Sequence, residues 1–142
     1  MQIPKPSNAV PEIKDIDFSG KHILVTDDEP INIMITSKML LARKAKISKA
    51  SNGHELLQLL DEGLEPDLIL LDIKMPELDG LSAIKKIKQK YPHLVVLAFT
   101  ASFIDDETET FLRENGFHSS LSKAFKPVEF YSTIAEALEG TL

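Results

Sequence analysis

The chain has 142 residues, of which 43% are hydrophobic, with no cysteine and a net charge of −6. That is enough apolar content for one globular core without disulfides, and the missing thiols exclude a metal–thiolate site. The acidic balance and the lack of clustered Lys and Arg argue against a nucleic-acid surface, and the apolar runs, at most about six residues long, are too short to span a bilayer.

Residues 1–20 carry Pro4, Pro6 and Pro11 and show no periodicity. They read as a linker or flexible lead-in without the apolar core of a signal peptide, so a cytoplasmic domain over 21–142 is expected. Ile23-Leu24-Val25 reads as a short buried strand. Pro30 opens a helix expected to bury Ile31, Met34, Ile35, Met39 and Ala42. Residues 45–50 make a second strand, and Asn52-Gly53 leads into a helix with Leu56, Leu57, Leu60 and Leu64 on one face, stopped by the stretch from Gly63 to Pro66. A third strand over 67–72 is broken at Met75-Pro76, and Asp79-Gly80 starts a helix with Leu81, Ile84 and Ile87. On that helix Lys85, Lys86, Lys88 and Lys90 read as a solvated face. Residues 94–99 form the most apolar strand. Ile104, Phe111 and Leu112 then mark a helix with Asp105, Asp106 and Glu107 in its first turn, where the helix dipole favours acids, and Gly116 ends it. A weaker strand over 117–122 precedes a helix with Val128, Tyr131, Ile134, Ala135 and Leu138 on its apolar side. Five such β/α units with short connections imply an α/β fold with a doubly wound parallel sheet.

In such a sheet, ligands bind at the C-terminal edge of the strands. Strand one ends in Asp27-Asp28, strand three in Asp72, strand four in Thr100 and strand five in Lys123. Carboxylates gathered together repel one another unless they share a cation, and an all-oxygen cluster with access to water suits Mg²⁺. A carboxylate nucleophile, a hard metal, a hydroxyl donor and a lysine point charge are the parts of phosphoryl transfer. Asp72 is the natural nucleophile.

The runs ILVTDDEPIN at 23–32, SNGHELL at 51–57, LLDIKMPELDG at 70–80, FTA at 99–101 and GFHSSLSKAF at 116–125 make the chain resemble the receiver domains of two-component response regulators. The resemblance implies a flavodoxin-like receiver fold with five parallel strands in the order 2-1-3-4-5. It also implies that Asp72 accepts a phosphoryl group from a histidine kinase or phosphotransfer protein. Asp28 and the backbone carbonyl of Lys74 would ligate Mg²⁺ together with Asp72, and Asp27 would act through water. Thr100 would contact the phosphoryl oxygen and shift on activation, Lys123 would form a salt link to it, and the amides of Ile73 and Ala101 would assist. A homodimer through the helix 4, strand 5 and helix 5 face is a further expectation. Lys123 is preferred over Lys126 because it lies seven residues after the helix-ending Gly116, the offset this family uses.

Departures from the pattern carry their own expectations. Ala124 replaces a proline that follows a cis peptide bond in the family, and a non-proline cis bond costs roughly 2.5 to 4 kcal/mol. Ser120 occupies the switch position, where an aromatic ring is usual, and cannot fill the same cavity. Lys74, two residues after the acceptor, is expected to alter the phosphoryl lifetime. The rival readings are weaker. A haloacid-dehalogenase-type phosphatase needs a second aspartate where this chain has Lys74, and a nucleotide-binding flavodoxin needs a phosphate loop where Asp27-Asp28-Glu29 would repel phosphate. His54 lies on a single short helix and lacks the second helix of a kinase phosphoacceptor bundle. An unphosphorylated pseudo-receiver acting as an interaction module is the alternative. The run from Asp17 to Lys21, and Asn32, resemble receivers attached behind hybrid sensor kinases, so the domain is expected on the cytoplasmic side of such a protein, with no direct membrane contact; a single-domain regulator is the runner-up.

Overall fold

The computed structural model describes residues 16–75, 78–101 and 104–139. The strands are β1 (His22–Thr26), β2 (Lys46–Ala50), β3 (Leu68–Asp72), β4 (Val96–Thr100) and β5 (Ser119–Ser122). They alternate with α1 (Pro30–Leu41), α2 (Gly53–Asp61), α3 (Gly80–Lys90), α4 (Asp106–Glu114) and α5 (Pro127–Glu139). All strand pairs are parallel, in the order β2-β1-β3-β4-β5. The sheet is therefore the expected doubly wound one, with β3 at its centre.

Strand side chains alternate between two cores, as the period of two dictates. Ile23, Val25, Leu68, Leu70, Leu97 and Phe99 pack on one face with Leu40 of α1 and Phe130, Ile134 and Leu138 of α5. Leu24, Ile69, Leu71, Val96 and Ala98 pack on the other with residues of α2, α3 and α4, among them Leu56, Ile84 and Leu112. Every residue of β3 and β4 is buried, which explains their unbroken apolar runs.

Three expectations are corrected. Most of the side of α1 expected to be buried is the outer one: Ile31, Met34 and Ile35 are 57%, 45% and 47% exposed, whereas Thr36, Ser37 and Leu40 face the core and Met39 packs at its edge. Apolar residues occur all round this helix, so spacing alone does not select its inner face. Phe111 and Val128 are likewise exposed, while Leu112, Phe130 and Ala137 take the core positions. The third correction concerns the lead-in. Ile16 and Phe18 are buried in the α1/α5 core, and the Phe18 amide donates to the Arg43 carbonyl at 2.7 Å. Residues 16–20 thus belong to the fold. The rest of the expected lead-in, 1–15, lies outside the described residues, as does Pro76.

Asp79 caps α3 by accepting the Ser82 amide at 2.8 Å, and Gly80 follows it. A Cβ on Gly80 would stand 2.5 Å from the Asp72 carbonyl oxygen and 2.7 Å from the Ile73 Cα. The start of α3 therefore presses directly on the end of β3, and only glycine leaves room for that approach.

Candidate functional site

The C-terminal edge of the sheet gathers the predicted polar residues. Asp72 is the last residue of β3, and Thr100 the last of β4. Asp27 and Lys123 follow the ends of β1 and β5 by one residue. Asp27, Asp72 and Thr100 are buried, and Asp28 is exposed. Oxygens of Asp27, Asp28 and Asp72 lie within 4.8 Å of one another.

Lys123 enters this cluster as its cation. Its Nζ stands 2.9 Å from Asp27 Oδ2 and 3.1 Å from Asp72 Oδ2, and 5.7 Å from the centre of the Phe99 ring. The Lys123 amide donates to the Thr100 carbonyl at 2.7 Å, which extends the β4–β5 ladder by one step and sets the lysine beside the aspartates. The sequence placed Lys123, rather than Lys126, at this position. No cis peptide bond occurs among the described residues, so the Lys123–Ala124 bond is trans, and the Ala124 amide donates to Ser122 Oγ at 3.1 Å.

Electrostatics in the cluster are strained by burial. Desolvation pushes the Asp72 carboxyl up to about 6, the negative Asp27 pushes the same way, and Lys123 and the Lys74 amide pull against them. Burial works to lower the Lys123 ammonium, but its bonds to Asp27 and Asp72 outweigh it and hold the group above the usual lysine range. Local amides fix the carboxylates: Asp27 Oδ1 accepts the Glu29 amide at 2.9 Å, and Asp72 Oδ1 accepts the Lys74 amide at 3.2 Å.

The donor set answers whether a hard cation suits this site. Asp27 Oδ2 is buried without an aligned hydrogen bond and has only the ammonium charge of Lys123 beside it. Three carboxylates against one ammonium leave net negative charge and spare oxygen lone pairs. That fits an oxygen-ligated divalent ion such as Mg²⁺. A shallow cleft lined by Asp28, Ile73, Lys74, Met75, Asp79 and Leu81 opens beside the cluster. Lys74 is exposed on its rim. The Ile73 amide donates to the Phe99 carbonyl at 3.3 Å, a long bond that ties β3 to β4 at the tip. Ala101 lies one residue beyond Thr100, at the edge of a separate groove.

Two features of the surroundings escaped the sequence reading. Asp79-Gly80 signalled a turn, but not that Gly80 abuts the Asp72 backbone. Ser120 donates a short hydrogen bond to Glu109, tying β5 to α4, a pairing across eleven residues that no local motif announces.

A 2-1-3-4-5 parallel sheet with aspartate, threonine and lysine around an acidic cluster at its C-terminal edge defines a flavodoxin-like fold of the CheY-like receiver class. The model of the response regulator receiver domain matches residues 23–135, and the chain belongs to that family. It is 31% identical over 120 residues to the polar-differentiation response regulator DivK of Brucella anthropi, covering 83% of this chain and 96% of DivK. It is 32% identical over 125 residues to the sensor histidine kinase RcsC of Escherichia coli, covering 87% of this chain and 13% of RcsC. A crystal structure of a response regulator receiver domain protein from Clostridium thermocellum superposes with a TM-score of 0.76 at 26% identity, covering 84% of this chain and 95% of that one. The chain thus spans a small part of the histidine kinases it matches, 14% or less in four of them, and nearly all of DivK.

Proposed function

We propose that this chain is a phosphoacceptor module of a two-component phosphorelay, with Asp72 as the acceptor. A carboxylate oxygen of Asp72 attacks the phosphorus of a phosphohistidine; the O–P bond forms, the P–N bond breaks, and the imidazole leaves and takes up a proton. Asp28 and Asp72 would hold Mg²⁺ together with the Lys74 carbonyl, and Asp27 would act through water. When bound, the ion offsets charge on the transferring oxygens.

The protein's own groups supply the rest. Lys123 offsets part of the charge of the buried aspartates before transfer, and the phosphoryl group would draw its ammonium away from Asp27. Thr100 stands at the next strand tip to donate its hydroxyl to a phosphoryl oxygen, and the Ala101 and Ile73 amides would add donors, the latter by exchanging its bond to Phe99. Added charge at Asp72 then biases β4 and β5, and through them α4, between two arrangements.

The observation that carries this reading is the Lys123 bridge between two buried carboxylates, one of them the terminal residue of the central strand. The proposed donor is a histidine kinase or phosphotransfer protein. Similarity to RcsC and to the run from Asp17 to Lys21 expected behind sensor kinases supports a module of a hybrid kinase, positioned on the cytoplasmic side. Among the described residues no helix is long and apolar enough to cross a membrane.

The test is intact-mass spectrometry after incubation with acetyl phosphate and Mg²⁺, with Asp72→Asn and a metal-free sample as controls. One phosphate that requires both Asp72 and Mg²⁺ is the expected result. No adduct, together with no binding of beryllofluoride, would establish the pseudo-receiver reading instead.

A further inference from the structure

The turn between β2 and α2 touches both halves of the acidic cluster while adding no charge to it. On one side the Asp27 amide donates to the Ala50 carbonyl at 3.1 Å, which fastens the buried aspartate after β1 to the last residue of β2. On the other side Gly53 opens α2 and is buried. A Cβ there would stand 2.7 Å from the Leu78 carbonyl oxygen and 3.0 Å from Leu78 Cγ and Cδ2. A backbone carbonyl cannot swing aside as a side-chain end can, so a methyl group at position 53 has to move the chain at position 78.

Neither partner in this contact has slack. Asn52 caps α2 by accepting the Glu55 amide at 2.8 Å, and its own carbonyl accepts the Leu56 amide at 3.1 Å, so the helix start is held in place. Leu78 is buried in the core shared by α2, α3 and α4. Asp79 follows as the α3 cap, and Gly80 then presses on the Asp72 backbone while its amide donates to the Ile73 carbonyl at 2.9 Å. Residues 78–80 are therefore wedged between the start of α2 and the tip of β3. A displacement of Leu78 passes through the Gly80–Ile73 bond to Ile73 and Lys74, which wall the cleft beside the carboxylates together with Asp28 and Asp79.

We infer that Gly53 is a positioning residue for the acidic tip. By leaving the α2 start without a side chain, it sets how closely segment 78–80, and with it the Lys74 carbonyl, approaches the aspartates. The inference rests on the proposed Mg²⁺ reading of the site and extends it to a residue that offers the metal no ligand atom.

The test is a titration of the full chain with MgCl₂, followed by two-dimensional NMR at the Asp28 and Lys74 amides, alongside urea unfolding without metal. Gly53→Ala should weaken Mg²⁺ binding about ten-fold, the size of effect expected of a group that orients a ligand without being one. Leu78→Ala, which removes the anchor of the same segment, should weaken it at least about three-fold. Leu60→Ala makes an equal deletion at the far end of α2, and should lower the urea midpoint while changing Mg²⁺ affinity less than about two-fold. Unchanged affinity in folded Gly53→Ala, or weakening as large in Leu60→Ala, would overturn the inference. Should Gly53→Ala fail to fold, Leu78→Ala decides, and affinity kept there as in Leu60→Ala overturns it equally. A parent that binds Mg²⁺ no more tightly than Gly53→Ala sinks the positioning role alone, whereas a parent whose amides ignore Mg²⁺ sinks the metal site and this role together.

Discussion

At the scale of single residues, the burial of Asp72 carries a cost in stability. Its folded pKa of about 6 lies above the value of about 3.9 for an unfolded aspartate. The fold therefore binds this proton more tightly than the unfolded chain does. Stability from that preference is present below pH about 4 and is lost as pH rises through about 6. In metal-free buffer Asp72→Asn should stabilise the protein by about 1 to 2 kcal/mol at neutral pH, with the gain fading toward pH 4. Melting temperatures of both proteins across that range check the sign; a gain that grows on acidification would contradict it. Lys123 gives a companion prediction, because its ammonium occupies the space between carboxylates that a cation would neutralise. Lys123→Ala should melt lower without metal and gain more from Mg²⁺ than the parent does, since binding to the folded state alone stabilises by mass action. Equal Mg²⁺ shifts in differential scanning fluorimetry would count against competition between the two cations.

At the scale of elements, what was legible in sequence follows from how local each signal is. Strand tips were legible because a carboxylate directly after a buried run, at 27, 28 and 72, leaves little choice of position. Lys123 was legible through its offset from Gly116. The inner face of α1 was not, because PINIMITSKMLL is apolar on both sides and buries a threonine and a serine. The exposed Ile31, Met34 and Ile35 lie at helical spacing just after Asp28, beside the acidic cluster. A phosphodonor protein would cover that stripe, so Ile35→Glu should slow transfer from a cognate kinase at least about ten-fold while leaving modification by acetyl phosphate unchanged. A loss with both donors would indicate a damaged site instead. The junction of β3 and α3 offers a sharper structural prediction. Gly80→Ala forces the Asp72 and Ile73 backbone aside and should cost about 1 to 3 kcal/mol, read as a lower urea midpoint with an unchanged slope.

At the scale of the whole molecule, the segment before β1 closes one end of the α1/α5 core. Phe18 packs 6.3 Å from the Tyr131 ring, Arg43 lies over that ring at 4.6 Å, and Tyr131 donates to the Met39 carbonyl at 3.0 Å. Two isolated apolar residues in a proline-bearing stretch gave no periodic signal, which is why the sequence reading set them outside the domain. Phe18→Ala should cost about 3 kcal/mol, read as a lower melting temperature. An unchanged melting temperature would mean that the segment before β1 does not contribute to the core.

The position of Lys123 also makes the acidic tip lopsided. The central strand that ends in Asp72 is held on both sides, by β1 and by β4. The β1 tip contributes the carboxylates of Asp27 and Asp28, whereas β4 contributes the Thr100 hydroxyl and the residue after β5 the Lys123 ammonium, which reaches across to both Asp27 and Asp72. A negative group added at the centre repels one flank and attracts the other, so both forces push the same way across the sheet. Under the proposed function, chemistry at one atom would thereby be given a direction, and the helices on the β5 side would be the ones to feel it.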